Sequence, residues 1–251
     1  MSGNPLNTRR GRLTTFSLLY LSEGIPFGFS AIALTTHLRM SGVGMTEIGL
    51  LLASLYAPWG FKWAWAPLID LVRFKRFGPS RTWIAGAQIL MILTLGILVF
   101  FDLQSSVGLM VVLIVIHNIF AATQDVAIDA LAVRTLPAKE RGIANGFMFG
   151  SSYLGQTVGG SGALLISGWL GFKAAFPFVL IVMALILIFV TLRIKEPESE
   201  AETEPETGAG PLLQQIGGQL KTFFREMYRG FFKSGKGPVF GVGFALLPSV
   251  R

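Results

Sequence analysis

Five charge-bearing side chains sit inside stretches that are otherwise apolar enough to cross a membrane: Glu23, Lys62, His117, Asp125 and Asp129. A charge near the bilayer centre costs roughly 2.5 to 3.5 kcal/mol on insertion scales, so such residues line a polar cavity, a proton relay or a gate. At 1.5 Å rise per residue, Glu23 lies roughly 15 Å in from the start of its stretch, Lys62 roughly 12 Å in from Asp70, and Asp125 roughly 12 Å in from Val133. Three charges on three helices at one depth permit mutual pairing. Competition between protonation of a carboxylate and its pairing with Lys62 would then couple proton movement to solute movement. A static packing pair between Lys62 and one Asp is the alternative.

His117, Ala121, Asp125 and Asp129 follow one another at i, i+4, which places them on one helix face. That face suits a proton path, although His117 would serve equally well by hydrogen-bonding a neighbouring helix. Asp129 lies close in sequence to Arg134 and near the depth of the basic cluster Arg73 to Arg81, a setting for a gate or a topology-fixing ion pair. Asp70 and Arg81 suit the same role, against plain solvated loop charges. In the fifth stretch Gly142, Gly146 and Gly150 recur every four residues, as do Gly155 and Gly159, and this spacing lets backbones approach closely. Packing is the expectation, with a sliding face against another half as its sharper form. Trp59, Trp63, Trp65 and Trp83 suit interfacial anchoring, with Trp59 or Trp63 stacking on a sugar or nucleobase as the alternative.

The elements that must position these residues are six apolar runs: Leu13 to Thr35, Ile48 to Ile69, Trp83 to Phe101, Val107 to Val133, Ile143 to Ile166 and Ala174 to Leu192. Each approaches or exceeds the roughly 20 residues of a spanning helix. A strand-built barrel would instead show alternating segments of about 10 residues. With 52% hydrophobic and 14% charged residues, the 251-residue chain is a multi-pass, all-α integral membrane protein. Basic residues crowd Arg9 to Arg12, Arg73 to Arg81, Arg134 to Arg141 and Arg193 to Lys195, whereas the opposite connections hold only Arg39 and Lys173. Both ends of the six-helix unit are therefore expected in the cytoplasm. The net charge of +7 is topology and calls for no nucleic-acid partner.

The first run is too long for a signal peptide and lacks an A-x-A-like cleavage site, so an uncleaved helix is expected. There is no cysteine, hence no disulfide or thiolate metal site. No phosphate-cradling G-x-x-x-x-G-K-[ST], H-E-x-x-H or G-x-S-x-G motif occurs, so neither an enzyme nor a cofactor or metal is expected. We divide the chain into a six-helix unit over 1–195, an acidic cytoplasmic linker over 196–210, a basic amphipathic interfacial helix over 211–237, and the start of a seventh helix over 238–251.

The segment Tyr56-Ala57-Pro58-Trp59-Gly60-Phe61-Lys62-Trp63-Ala64-Trp65-Ala66-Pro67-Leu68-Ile69-Asp70 resembles the second-helix signature of the muropeptide permease (AmpG-type) and acetyl-coenzyme A transporter branch of the major facilitator superfamily. Ala122-Thr123-Gln124-Asp125-Val126-Ala127-Ile128-Asp129-Ala130 is similar to that branch's S-Q-D-x-x-x-D-A pattern, with Thr123 at the usual Ser and Gln124 beside the cavity acid. Pro137 to Gly142, which includes Arg141, resembles the common entry to the fifth helix. The loop signature is met only loosely, Asp70 and Arg81 matching but Ala66 standing where a Gly is usual and the loop being longer, and the larger departure is the length of the chain.

The resemblance implies twelve helices in two halves, of which this chain would be the N-terminal one. A C-terminal half or a second copy of the chain would be its partner, in a bacterial inner membrane. It also implies secondary active transport of a polar solute, a muropeptide-like or acyl-coenzyme A-like conjugate, by alternating access with protons as the driving ion. The rival expectation is a non-transporting sensor or assembly partner built from six helices.

Overall fold

The computed structural model describes residues 4–62, 69, 78–102 and 105–196, and beyond them only 218, 221, 222, 225, 228 and 229. Contacts divide the chain into one unit over Met1–Glu198 and another over Ser199–Arg251. In the second unit Gly218, Lys221, Thr222, Arg225 and Tyr228 are helical and exposed. Asp70, Arg73, Lys75, Arg76, Trp63 and Trp65 lie outside the described residues. So do the linker beyond Glu196, most of the expected amphipathic helix and the expected seventh helix.

Among its described residues the first unit consists of six helical rods, with no strand. They are α1 (Arg9–Met40), α2 (Met45–Phe61), α3 (Pro79–Leu98), α4 (Val107–Thr135), α5 and α6 (Phe172–Arg193). The α5 rod runs from Ala138–Thr157 through a π-wound Val158–Gly162 into Ala163–Leu170. By length and apolarity α1, α3, α4 and α6 qualify as spans on their own. The described part of α2 has 17 residues, and α5 is diluted by its many glycines and serines.

Local chemistry sets where the rods begin and bend. The Thr8 hydroxyl caps α1 by accepting from the Gly11 N–H at 3.1 Å. Midway along α1, Pro26 has no N–H to return to the Ser22 carbonyl, and the winding loosens to a π-helix over Phe29–Leu34. Gly78, at φ +89°, turns the chain into α3, whose first residue is Pro79, a proline whose missing donor is unneeded there.

Packing centres on α1. It lies along α5 and also meets α4 and α6, while α4 packs on α3 and α2, and α3 on α6. The α1–α5 seam is closer than side chains would allow. A Cβ on Gly24 would strike the Ser152 carbonyl, one on Gly28 the Gln156 carbonyl, and one on Gly159 the Ile25 carbonyl. At Gly155 it would lie 2.6 Å from the Leu21 carbonyl oxygen. Two glycines four apart on each helix thus interlock, the small-residue arrangement that lets membrane helices gain dispersion contact backbone to backbone. At one end of the seam the Arg12 guanidinium grips the Glu140 carboxylate with contacts of 2.8 and 2.9 Å, both groups being largely buried.

Two apolar clusters stack along the bundle axis. One gathers Phe16, Leu19, Ile84, Ile128, Leu131, Met148 and Ile194, and the other Ile25, Phe29, Met91, Ile114, Phe172, Phe176 and Met183. On each of α1, α3, α4 and the end of α6 the changeover between clusters is occupied by polar side chains: Ser22 and Glu23, Gln88, Gln124 and Asp125, and Thr191. The two ends of the unit meet beyond the first cluster. The Asn4 side-chain amide donates to the Lys195 carbonyl at 2.5 Å and accepts from the Lys195 N–H at 3.4 Å.

Candidate functional site

The polar layer has a neutral side and a charged side. On the neutral side Thr191 donates to the Gln88 carbonyl at 2.6 Å, and Gln88 donates to the Ser22 hydroxyl at 2.9 Å. Gln124 also donates to the Ser22 hydroxyl, at 3.0 Å, while Ser22 donates to the Leu19 carbonyl at 2.6 Å. One chain of hydrogen bonds therefore joins α6, α3, α1 and α4, and all four side chains are buried. Buried polar groups are costly unless paired, so this chain fixes the register of four helices at mid-depth.

Next in sequence to Ser22 and Gln124 stand Glu23 and Asp125, on the charged side. Lys62, at the end of α2, forms an ion pair with Asp125. Its side chain is 37% exposed and that of Asp125 only 7%, so the pair is reached by way of the lysine. The Lys62 ammonium also lies 5.5 Å from the centre of the Trp59 ring, within cation–π range. Trp59 in turn donates to the Asn118 carbonyl oxygen at 3.3 Å, which ties α2 to α4.

Glu23 is buried beside Gln124 and within electrostatic reach of Asp125, Asp129 and Lys62. Oε1 of Glu23 and Oε1 of Gln124 are both buried acceptors with no hydrogen-bond donor among the described residues. A buried acceptor without a donor loses its full solvation, and a proton carried on Glu23 would remedy that. One turn beyond Asp125, Asp129 accepts from the Tyr20 hydroxyl at 2.8 Å, and the Tyr20 ring meets Phe149 edge-to-face with centroids 5.8 Å apart.

Not every residue singled out by sequence joins this group. His117 is buried against α3, where its Nδ1 lies 3.1 Å from the Thr94 hydroxyl and 3.2 Å from the Met91 carbonyl oxygen, so it spends its hydrogen bonding on a neighbouring helix. Arg134 turns away from Asp129 to the Ser80 hydroxyl and lies 3.9 Å from Glu196. Arg81 donates through its side chain to the Ile194 carbonyl at 2.9 Å and through its backbone to Glu196 at 2.6 Å. Arg141 caps the end of α4, donating to the Val133 and Leu136 carbonyls at 3.1 and 3.3 Å. Gly155 and Gly159 lie in the α1 seam, whereas a Cβ on Gly146 or Gly150 would meet nothing within 4 Å.

Sequence reasoning passed over Tyr20, Ser22, Gln88, Asn118 and Thr191 because neutral polar side chains do not stand out as charges do. Gln88 was the available signal, an amide in an otherwise apolar run. Glu140 and Arg12, 128 positions apart, carry no such signal. Among the described residues no three His, Asp or Glu side chains are placed to hold a metal ion.

A bundle with a charged mid-depth face on α1, α2 and α4 finds its relatives among permeases. The family model of the Major Facilitator Superfamily matches residues 13–248, and the chain belongs to that superfamily, whose members are transporters rather than enzymes. The anhydromuropeptide permease of Escherichia coli K12 is 28% identical over 162 residues, which cover 63% of this chain and 32% of the relative. The putative transporter AmpG 1 of Rickettsia conorii is 25% identical over 169 residues, covering 66% of this chain and 40% of the relative. The chain thus matches about a third of the length of the first of these relatives.

Proposed function

We propose that this chain supplies one six-helix wall of a secondary active transporter that moves a muropeptide-like solute by alternating access, driven by protons. The observation that carries the proposal is the Lys62–Asp125 pair, reached from its lysine side, beside the buried Oε1 of Glu23, which has no hydrogen-bond donor among the described residues. Ion pairs between membrane helices belong where a polar path crosses the bilayer. In this mechanism Asp125 holds Lys62 while the site is empty. An anionic group of the solute competes for the ammonium, Trp59 offers its ring to an apolar or sugar face, and the released carboxylate charge is met by a proton shared with Glu23. The Escherichia coli relative's name, anhydromuropeptide permease, supports a sugar-peptide conjugate over an acyl-coenzyme A.

Facing wall and membrane belong to the same proposal. The charged face of α1, α2 and α4 needs an opposite wall to exclude lipid, and a second six-helix half, covalently joined or from another copy, would provide it. The bacterial inner membrane, with Asn4 and Lys195 on the cytoplasmic side, is the proposed location. Uptake of an anhydromuropeptide into proteoliposomes that hold this chain together with its facing half, under an imposed proton gradient, tests the mechanism. Asp125→Asn and Glu23→Gln should each abolish gradient-driven uptake while membrane yield stays near that of the unaltered protein. Unaltered uptake in both variants would remove these acids from the coupling step.

A further inference from the structure

At the end of the bundle remote from the Asn4–Lys195 contact, a cavity of about 270 Å³ is lined by His37, Phe101, Asp102, Phe172, Lys173 and Phe176, together with Leu98 and Val99. The polar components come from three places: the last turns of α1, the connection four residues past the end of α3, and the first turn of α6. The His37 ring lies flat on Phe172, with centroids 3.8 Å apart and 2° between planes. Phe172 is itself held edge-on by Phe176 at 5.8 Å and stacked against Phe29 at 6.0 Å. The imidazole therefore sits on a fixed aromatic shelf, with an ammonium and a carboxylate at the same cavity. None of these residues takes part in the mid-depth site.

We propose that this cavity binds the headgroup of a membrane phospholipid that carries both a phosphodiester and a primary ammonium. Lys173 and an N–H of His37 would donate to the phosphate, and Asp102 would accept from the ammonium. Charge-assisted bonds of this kind are the strong ones. Asp102 accepts from the Ser105 hydroxyl at 2.7 Å and has a further partner besides, and an ammonium would share the roughly four acceptor positions of its carboxylate with them. The size argues for a headgroup, since sites for larger organic ligands run from about 300 to 1,000 Å³.

Position argues for a lipid over a soluble phosphoethanolamine. The cavity lies at the ends of α1, α3 and α6, where the headgroup region of a bilayer spanned by these rods would fall. The exposed side chains Leu93 and Ile97 on one stripe of α3, and Phe100 in the turn beyond it, lead toward the rim at Phe101, and α6, packed on α3, exposes Ile181 and Leu185. Acyl chains leaving the headgroup would lie along those apolar faces. The proposal depends on the bundle being embedded in a membrane and does not depend on which solute is carried.

Thermal unfolding of the delipidated, detergent-purified chain tests it, with added phosphatidylethanolamine, phosphatidylcholine, phosphatidylglycerol or chain-free glycerophosphoethanolamine. Phosphatidylethanolamine should stabilise at a concentration at least about fivefold lower than the other two lipids, because trimethylation removes the donors that Asp102 accepts and the glycerol headgroup lacks the ammonium. Asp102→Asn should erase the preference for phosphatidylethanolamine over phosphatidylcholine. Lys173→Met should weaken every phospholipid by about fivefold. Equal effects of all three lipids on the unaltered chain, a preference that survives in Asp102→Asn, or undiminished stabilisation in Lys173→Met would overturn the proposal. Stabilisation by glycerophosphoethanolamine as strong as that by the lipid would assign the cavity to a soluble ligand and overturn the membrane source.

Discussion

Two glycine ladders on α5 share one spacing and meet opposite fates. Gly155 and Gly159 are pressed against the α1 backbone, and Gly24 and Gly28 answer them from the other side. Gly142, Gly146 and Gly150 look onto open space, with Gly146 and Gly150 lining a shallow groove of about 350 Å³ alongside Ile143, Phe147, Ser151 and Leu154. The difference lies in register. From Gly150 to Gly155 is five residues, and at about 100° per residue that step turns the second ladder some 140° away from the first. Spacing of four thus identifies a surface that backbones can approach, and the interruption of the spacing tells that there are two such surfaces.

The sharpest way to break the comparison is Gly159→Val. Its Cβ would fall on the Ile25 carbonyl, a backbone atom that cannot swing aside, so α1 and α5 must separate. Destabilisation above about 3 kcal/mol is expected, read as loss of monodisperse protein and a large fall in Tm. A Tm like that of the unaltered chain would show that the seam is not closed. A smaller effect, about 3 kcal/mol, is expected for Arg12→Met or Glu140→Gln, each of which strands a buried partner at the end of the same seam. Replacing both residues with Met should recover most of the loss, and an additive double variant would deny the pairing. The smallest effect is expected for Gly150→Val. With nothing within 4 Å of the added Cβ, the Tm of the purified chain should shift by no more than about 0.5 kcal/mol allows. A loss as large as that of Gly159→Val would place a second close helix contact on this face.

Much of this was legible in the amino-acid order. The apolar runs and their lengths announce the rods, because every backbone donor in a bilayer must be met within its own helix. Lys62 and Asp125 are visible as costly charges at a common depth. Less visible is what holds them. Tyr20 is amphipathic enough to pass as an ordinary membrane residue, so its bond to Asp129 at 2.8 Å leaves no trace in a charge count. Ser22, Gln88 and Thr191 likewise incur only the modest penalty of a neutral polar group, and their alignment depends on how four rods are packed rather than on any one of them. Arg134 shows the limit of proximity in sequence. It stands five residues after Asp129, which on a helix faces another way, and it reaches Ser80 and Glu196 on other elements instead.

The contact between Asn4 and Lys195 makes the first unit a closed path: its chain leaves and returns at one point. Such a path has no privileged place to be cut. A circular permutant that joins residue 196 to residue 4 through a few added residues, and opens instead in the connection between Asp102 and Ser105, would keep every helix–helix contact described above. By the same geometry, a copy of the unit could be set beside the original in a gene without moving either set of rods, so doubling the bundle is mechanically an event of joining and not of refolding.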